Sequence, residues 1–458
     1  MAGWNDLPAE IRLMVLRMAT NDKKLSNYTT VCKEWQPVFE KANFRAITLL
    51  DDEVSELNNI LQGRRRTWLR RVCFHIRLPR YRKKLSREPE TEEEQDANNA
   101  AFTNSLWHLF EVLAAWDRAR VESGPSPGLE LELQVYSPSD PKKLTGEALL
   151  RDDGENRFFD SDLDLDFDDK ASLGGPCGLP EVESVTGFRF LRRNRRSLTP
   201  AAFLFIISSL PSLTDIKLEP WHQVDQHGQE TLDRESAVHM PFWPATLKKV
   251  SIFEHFDAFR RDPEEVQEKC PQLGRNLYRL SLRLEECYIA KFADAWDFFE
   301  PFFGQQPSPG VRGWDHLCRL SLTSTFIDER EDGESLNALL LAAGRAARYM
   351  PQLRLFELWN AESYGAGVFL YSGISELATL TWKSTWEFRM DDGVKARWRD
   401  AARKHAGKDL VVEPEELLVN YRGPMRFIHF KLATRGLILD PTSSTDMMGK
   451  AAFPPSVW

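Results

Sequence analysis

Hydrophobic residues in the second half of the chain recur in a short motif, Leu-x-x-apolar-x-apolar, whose last four positions alternate between apolar and polar. Alternation with a period of two is typical of a strand that has one buried face. We therefore predict a short strand at each copy. The copies are Leu213-Ile216-Leu218, Leu247-Val250-Ile252, Leu277-Leu280-Leu282, Leu317-Leu320-Leu322, Leu353-Phe356-Leu358 and Leu377-Leu380-Trp382, with an earlier one at Leu69-Val72-Phe74.

Helices are predicted between these strands. Thr199 can cap a helix that Pro200 begins and Pro211 ends, because serine and threonine suit the cap position and proline suits the first turn. Pro211, Pro271 and Pro351 are each expected to end a helix and lead into a strand. The helix before Pro351 is indicated by apolar residues at helical spacing, namely Leu336, Leu339, Leu340, Ala343 and Ala347.

Strand and helix alternating in this way predict an α/β fold. We expect an irregular leucine-rich-repeat-like strand and helix solenoid over residues 49–440, because each repeat can bury its apolar face only against its neighbours. Its strands would form a curved parallel sheet whose concave face is the default binding surface. An unrelated α/β fold with similar strands is the alternative.

The first forty residues carry a different pattern. The sequence Trp4-Asn5-Asp6-Leu7-Pro8-Ala9-Glu10-Ile11 opens a short amphipathic helix, since Pro8 suits the first helical position and Glu10 favours the positive end of the helix dipole. Apolar stripes follow at Ile11, Met14, Val15 and Met18 and at Leu25, Tyr28 and Val31, before Val31-Cys32-Lys33-Glu34-Trp35. Two short helices cannot bury both stripes alone, so we predict a docking module. A helical cap packed on the rest of the chain is the alternative.

This N-terminal arrangement resembles the F-box, a three-helix motif that binds the adaptor subunit of SCF-type ubiquitin ligases. The resemblance covers residues 4–44, within a predicted module over residues 1–48. Pro37 departs from the family pattern, and we expect the third helix to begin or bend there, because proline disfavours a helix interior. The resemblance implies that the adaptor is bound by Leu7, Pro8, Glu10, Ile11, Met14, Val15, Leu16, Val31, Cys32 and Trp35.

Four short stretches further along, in order, resemble a fungal group of F-box proteins with a long, uncharacterised C-terminal region. They are residues 44–49, 76–81, 136–140 and 219–221. That group has no established substrate, so the resemblance implies a family without naming a ligand.

Composition narrows the class of protein. The 458 residues are 42% hydrophobic and 28% charged, which is ordinary for a soluble globular chain, and the net charge of −9 argues against wholesale nucleic-acid binding. The N-terminus lacks the pattern of a signal peptide, and the longest apolar run, residues 201–210, is about half the length that spans a bilayer. We therefore expect a cytoplasmic or nuclear protein with no membrane contact.

Candidate metal ligands are present without a convincing ligand set. The six cysteines are scattered and form no CxxC pair. The acidic run at residues 160–169 lacks the glycine and glutamate that a calcium loop requires. His222, Asp225 and His227 have no fourth ligand nearby. We interpret both stretches as loops, with a basic partner as the alternative for the acidic run, and predict no metal and no cofactor.

Two basic clusters lie at residues 64–87 and 192–196. We interpret them as solvated or internally paired faces, with the acidic insertion as a counter-charge. Nuclear import and nucleic-acid contact are the alternatives.

Three polar stretches, residues 86–99, 122–128 and 151–178, are predicted to be loops inserted into the array. Residues 441–458 are predicted to form a C-terminal tail across the repeats, with Trp458 as an anchor. The numerous aromatic residues of the second half are interpreted as core. They are Trp296, Phe298, Phe299, Phe302, Phe303, Trp314, Trp359, Trp382, Trp386 and Trp398.

No catalytic motif is recognisable, so we predict no catalytic residues and no enzyme activity. We expect a substrate-recognition subunit of an SCF-type ubiquitin ligase, which binds the adaptor and, through it, the cullin, and holds a target protein on the solenoid. The target is unknown. A non-ligase F-box scaffold or protein-binding module is one alternative. An enzyme whose site is assembled from distant residues is another, and a deep pocket with converging titratable groups would favour it.

Overall fold

The computed structural model describes eleven stretches of the chain. Within them it is a mixed α/β protein with thirteen helices and one sheet of thirteen strands, so the predicted α/β class is confirmed. No helix among these residues is long and apolar enough to cross a membrane. The described stretches are residues 4–20, 25–82, 88–118, 128–140, 162–167, 178–194, 196–222, 226–254, 269–361, 365–418 and 431–448.

The N-terminal helices precede the sheet. Helix α1 (Ala9–Ala19) begins directly after Pro8, and a 3-10 helix (Leu25–Thr30) leads to α2 (Gln36–Asn43). Pro37 lies in the first turn of α2, where its missing N–H needs no partner, as its position in the sequence predicts. The chain then enters strand β1 (Ala46–Leu50) at one edge of the sheet.

Most strands are parallel and stand in the sheet in the order in which they occur along the chain. The parallel series continues from β1 through β2 (Arg71–Arg77), β3 (Leu129–Tyr136), β5 (Val185–Phe190), β7 (Asp215–Leu218), β8 (Lys249–Phe253), β9 (Glu286–Ala290), β10 (Arg319–Thr323) and β11 (Leu355–Ala361). A separate parallel pair is formed by β4 (Asp162–Leu163) and β6 (Ser197–Leu198).

The far edge changes direction. Strands β12 (Ala366–Ser372) and β13 (Ala378–Ser384) are antiparallel to their predecessors. Two short strands, β14 (Leu410–Val412) and β15 (Glu416–Leu417), then pair in parallel with β13.

The helices that connect the strands pack with them into one large core. In this core the apolar faces of the strands meet residues such as Phe102, Leu277 and Leu339. The connecting helices are α3 (Leu57–Ile60), α4 (Arg64–Trp68), α5 (Glu92–Arg118), α6 (Pro200–Ser208), α7 (Gln226–His239), α8 (Pro271–Ser281), α9 (Ala295–Phe298), α10 (Gly333–Ala347) and α11 (Asp392–Ala406). Two last helices, α12 (Arg435–Ile438) and α13 (Pro441–Met448), belong to the C-terminal segment described below.

Several predicted elements are confirmed. The motif copies that begin at Leu69, Leu213, Leu247, Leu317, Leu353 and Leu377 lead into β2, β7, β8, β10, β11 and β13. Thr199 caps α6, because its side-chain oxygen accepts a hydrogen bond from the backbone N–H of Ala202 at 3.0 Å. The helix predicted before Pro351 is α10, and its apolar residues are buried.

The strand predicted at Leu277-Leu280-Leu282 is wrong. Leu277 and Leu280 lie in α8, which Pro271 begins instead of ending. Their spacing of three, together with Leu273 four residues earlier, places all three leucines on one buried helical face. The strand of this unit is β9, in which Cys287 and Ile289 face the core. The leucines of this stretch fit both a strand pattern and a helical pattern. Pro271, which suits the first turn of a helix, favours the helical one.

The loop predicted over residues 86–99 is also wrong in part, because α5 begins at Glu92. Thr91 and Glu94 bond each other's backbone N–H groups in a capping box, at 3.3 and 3.1 Å. The acidic residues that suggested an exposed loop instead lie in the first turn, where they favour the helix dipole.

The acidic run is not wholly an exposed loop. Leu163 in β4 is buried and Phe167 stacks edge-on against Trp107, so the apolar half of the Asp-Leu alternation packs on α5 and its neighbours. Most of the predicted insertions at 122–128 and 151–178, and Trp458 at the end of the tail, lie outside the described residues.

Candidate functional site

Helix α1 presents an apolar face that nothing in the described chain covers. Ile11, Met14, Val15 and Met18 are spaced at i, i+3, i+4 and i+7, which places them on one side of the helix. Their exposed fractions are 42, 58, 43 and 74%, and Val31 in the following turn is 55% exposed. We call these five residues the N-terminal apolar face.

The opposite side of the same helices is packed. Leu16 and Phe39 are buried, and the rings of Trp4, Tyr28 and Trp35 pack around Phe39 in a chain of contacts with centroid distances of 5.0 to 6.2 Å. These aromatic contacts hold the 3-10 helix and α2 together, so the exposed face belongs to an ordered module.

This geometry divides the residues that the sequence assigned to adaptor binding. Leu16 is buried and Trp35 is part of the aromatic cluster, so these two side chains support the module from inside. Met18 is the most exposed residue of the face, although the resemblance did not include it. The residues that the structure leaves exposed are Pro8, Glu10, Ile11, Met14, Val15, Val31 and Cys32, with Leu7 half-buried.

Hydrogen bonds connect the first turn to the chain after the 3-10 helix. Arg12 Nε contacts Glu34 Oε1 at 2.8 Å, and the indole N–H of Trp4 donates to Glu34 Oε2 at 3.2 Å. The bond from Trp4 and then the guanidinium of Arg12 hold the pKa of Glu34 below its ordinary value. Glu34 therefore stays ionised and connects Trp4 and Arg12 to the chain that follows the 3-10 helix.

The second candidate surface is the side of the sheet that faces away from the connecting helices, which we call the polar face. Its side chains are mainly charged or hydroxylic because alternate strand positions point away from the core. The residues that define it are Arg71, Cys73, His75, Arg77, Glu130, Glu132, Arg189, Asp215, Lys217, Lys249, Ser251, Glu286, Arg319, Ser321 and Glu357.

Residues 431–448, which we call the C-terminal segment, lie on this polar face. Glu357 is fully buried beneath the segment and accepts hydrogen bonds from the Thr434 hydroxyl and from the backbone N–H of Ala433 at 2.8 Å. Burial raises the pKa of Glu357, while the bond from Thr434 opposes the rise. A side chain of the sheet thus binds the main chain of the segment.

Further contacts continue along the segment. Glu219 accepts from the Asp440 N–H at 2.7 Å and from the Ser443 hydroxyl. Lys217 donates to the Leu437 carbonyl at 3.1 Å, and Arg189 bonds the Asp440 carboxylate at 2.8 Å. The segment therefore crosses the sheet from β11 to β5.

A second, smaller core fixes the segment. Leu432, Ile438 and Leu439 are buried against Tyr288, Trp359 and neighbouring apolar side chains, which lie on the same side of the sheet as the polar face. Burying three large aliphatic side chains stabilises the segment by about 1.5–3 kcal/mol each. The chain thus contacts the polar face before the predicted start of the tail at residue 441, since the Ala433 N–H already bonds Glu357.

The basic clusters are internally paired in the described residues. Arg65 bonds Glu40 at 3.1 Å and Arg77 bonds Asp52 at 2.7 Å. Arg196 is buried, with Glu90 at 2.8 Å. The partners of these three arginines are spread over the chain, so internal pairing is found at these positions; of the acidic run, only residues 162–167 are described.

The aromatic residues of the second half are mainly core, as predicted. Trp314, Trp359, Trp382 and Trp398 are among the largest fully buried side chains. They line no open surface, so aromatic recognition of a partner is not supported at these positions.

A buried cluster of titratable groups lies near the carboxyl ends of β7 and β8. Gln229 donates to Asp233 and Glu254, at 2.7 and 2.8 Å, and Lys269 bonds Glu254. Burial raises the pKa of Asp233; in Glu254 burial is outweighed by Lys269 and His222, which hold its pKa below the ordinary value.

The cavity beside this cluster measures about 80 Å³. An apolar cavity that holds benzene is roughly 150 Å³, so this space is too small for most substrates. His222 contacts Glu254 at 3.4 Å, Asp225 lies outside the described residues, and no group of metal-ligating side chains occurs in the described stretches. The cluster is an ion-pair network beside a small cavity.

Comparison with known proteins gives a family match for one part of the chain. Residues 242–440 match a family of unknown function (DUF6546), and this match runs from just before β8 through α12 of the C-terminal segment. No F-box family model matches the N-terminal residues. No curated protein matches the chain.

Proposed function

We propose that the protein is a non-catalytic, substrate-recognition subunit of an SCF-type ubiquitin ligase. The N-terminal helices act as an F-box that binds the adaptor subunit, and the sheet domain, a leucine-rich-repeat-like solenoid, holds a target protein. Its mechanism is positioning, because two linked binding surfaces raise the effective concentration of the target near the ubiquitin donor.

One observation carries this proposal: an ordered module exposes the N-terminal apolar face. Contiguous exposed apolar residues on a packed support are typical of a protein–protein interface. Covering each of Ile11, Met14 and Val15 with a partner contributes up to about 1.5–3 kcal/mol. The residues that the F-box resemblance assigns to adaptor binding include these three.

Two features support the leucine-rich-repeat-like interpretation of the sheet domain. The parallel strands follow one another in chain order, and helices connect them on the side opposite the polar face. The antiparallel strands β12 and β13 depart from a regular array near its far edge.

The target surface that we propose is the part of the polar face over β1 to β3. The C-terminal segment occupies the face from β5 to β11, and its buried contacts make it a permanent part of the structure. Strand β1 directly follows the N-terminal module, so a target bound at β1 to β3 lies beside the adaptor.

The test is binding of the purified adaptor subunit to the full chain, measured by calorimetry. The variant Ile11→Ser with Met14→Ser removes two contacts of the face, and we expect the Kd to rise at least tenfold. Leu7→Ala with Pro8→Ala tests the adjoining turn in the same way. The matched control is Val238→Ser with Phe242→Ser, two apolar residues that are 63 and 68% exposed elsewhere on the molecule.

Binding by the parent and the control, with loss in the Ile11 and Met14 variant, supports the proposal. Absence of adaptor binding by a folded parent, or equal loss in the control, overturns it. Recovery of the cullin with the adaptor in a pulldown separates the ligase subunit from the alternative, a scaffold that binds the adaptor outside the ligase.

A further inference from the structure

A second cavity lies between the polar face and the C-terminal segment. Its volume is about 400 Å³, which falls within the roughly 300–1,000 Å³ typical of small-molecule sites. Strands β2, β5, β7 and β8 contribute its floor, and residues 436–442 contribute its roof. The side chains that decide its chemistry are Arg71, Arg189, Asp215, Lys217, Lys249 and Asp440.

The register of the sheet explains why a space forms here. Gly187 of β5 stands in one row with Glu130 of β3 and Asp215 of β7. Glycine adds no side chain to the polar face at this position. The charged side chains of the neighbouring strands therefore surround an opening in the row instead of a continuous layer.

Four cationic side chains and two carboxyls, Asp215 and Asp440, line this cavity. Arg71 and Arg189 share Glu130, and Arg189 also bonds Asp440. Lys249 contacts Glu286 at 3.3 Å, and that carboxylate also holds Arg319 at 2.7 Å.

Asp215 is one of the two carboxyls of the wall. Burial raises its pKa, which the nearby Lys249 and Arg189 oppose.

Lys217 is the least satisfied of these groups. Only 7% of its surface is exposed. Among the described residues its ammonium makes one hydrogen bond, to the Leu437 carbonyl. An ammonium has three donors, and a buried ammonium is costly without an anionic partner. Burial lowers the pKa of Lys217, partly offset by Glu219 and Asp440.

We propose that this cavity binds a small free oxyanion of the phosphate class, with Lys217 and Lys249 as its main contacts and Arg189 beside them. A phosphate group offers several acceptor oxygens and a charge close to −2, which matches lysine and arginine donors converging from neighbouring strands. The roof at residues 436–442 covers one side of the site. This leaves less room for a group carried on a protein than for a free small molecule. The bound anion links the C-terminal segment to β7 and β8, next to the proposed target surface.

Calorimetry and thermal unfolding of the full chain test this, with inorganic phosphate and pyrophosphate as probes and chloride at equal ionic strength as the reference. We expect saturable binding and a rise in Tm that follows the probe concentration. Lys217→Met should weaken binding at least tenfold; the Leu437 carbonyl keeps its bond from Ser251, so the fold is preserved. Lys249→Met, at a more exposed position, tests the same site independently.

Lys248→Met is the matched control, because Lys248 pairs with Glu285 at 3.0 Å outside the cavity and adjoins Lys249 in sequence. Unchanged binding in this control with loss in both site variants supports the proposal. No saturable binding of either probe, or equal effects in all three variants, overturns it. Tighter binding of a phosphoserine peptide than of pyrophosphate also overturns it, since the ligand would then be part of a protein. None of these outcomes depends on the adaptor.

Discussion

Helix α1 and the C-terminal segment are both short helical stretches attached to the same sheet, and they place their large apolar side chains in opposite ways. Met14 and Met18 of α1 point into solvent, whereas Ile438 and Leu439 of the segment are buried against the polar face. The segment also has polar contacts from Glu219 and Glu357 along its main chain. The apolar side chains of the C-terminal segment are covered by the sheet, whereas those of α1 are not covered by any described residue.

This difference shows why position at a chain end says little about function. A segment that crosses a binding face is often interpreted as an autoinhibitory element that a ligand displaces. Here the cost of removing it includes three buried aliphatic side chains and the polar contacts of two buried carboxyls, so it belongs to the fold. The exposed stretch is the one at which we propose that a second protein binds.

The largest expected effect is on the buried side of this comparison. Ile438→Ala should lower the free energy of unfolding by about 2–5 kcal/mol, because it removes buried atoms and leaves a cavity. Met18→Ala, at the most exposed position of the N-terminal apolar face, should change it by less than about 0.5 kcal/mol. Chemical denaturation of both variants measures the contrast. Equal losses would mean that α1 is packed in solution or that the segment is detached.

A smaller effect is expected from the polar contacts of the segment. Thr434→Val keeps the shape of the side chain and removes the donor to Glu357, which should cost about 1–3 kcal/mol. Thr445→Val is the control, since this threonine is exposed and, among the described residues, its hydroxyl bonds the Pro441 carbonyl one turn earlier. If denaturation shows no difference between the two variants, the Glu357 contact does not hold the segment.

The smallest effect is a change in pH dependence. The pKa of Glu357 is raised by burial, so the folded state binds more protons than the unfolded state above about pH 4.5. The stability that Glu357 contributes is therefore present in acid and falls as the pH rises through its folded pKa. Glu357→Gln lacks this titration, so its stability relative to the parent should increase between pH 4.5 and pH 8. A constant difference across that range would contradict the assignment.

Much of the fold could be predicted because its signals are local. The alternating motif at Leu213, Leu317 and Leu353 predicts strands that the structure contains. Thr199 with Pro200 likewise predicts the observed start of a helix. The error at Leu277 arose because leucines spaced three and five apart satisfy both a strand motif and a helical face. Pro271 at the start of that stretch was the signal that could have resolved it.

The arrangement of the polar face could not be predicted, because it depends on contacts between distant residues. Glu357 and Thr434 meet across 77 residues, and nothing in either local sequence indicates the other. The cavity near Lys217 depends in the same way on the register of four strands and on a segment more than 200 residues away. The N-terminal apolar face was the opposite case, since a single helical stripe predicted it.

The C-terminal segment also determines when the polar face becomes covered during synthesis. Each parallel strand contacts only its neighbours, so the sheet can grow strand by strand as the chain leaves the ribosome. The bond between Arg189 and Asp440 joins residues 251 positions apart, so it forms only after the chain has been synthesised as far as Asp440. Until then Tyr288 and Trp359 lack the cover of the segment, so a chain interrupted before it exposes apolar side chains that the folded structure buries.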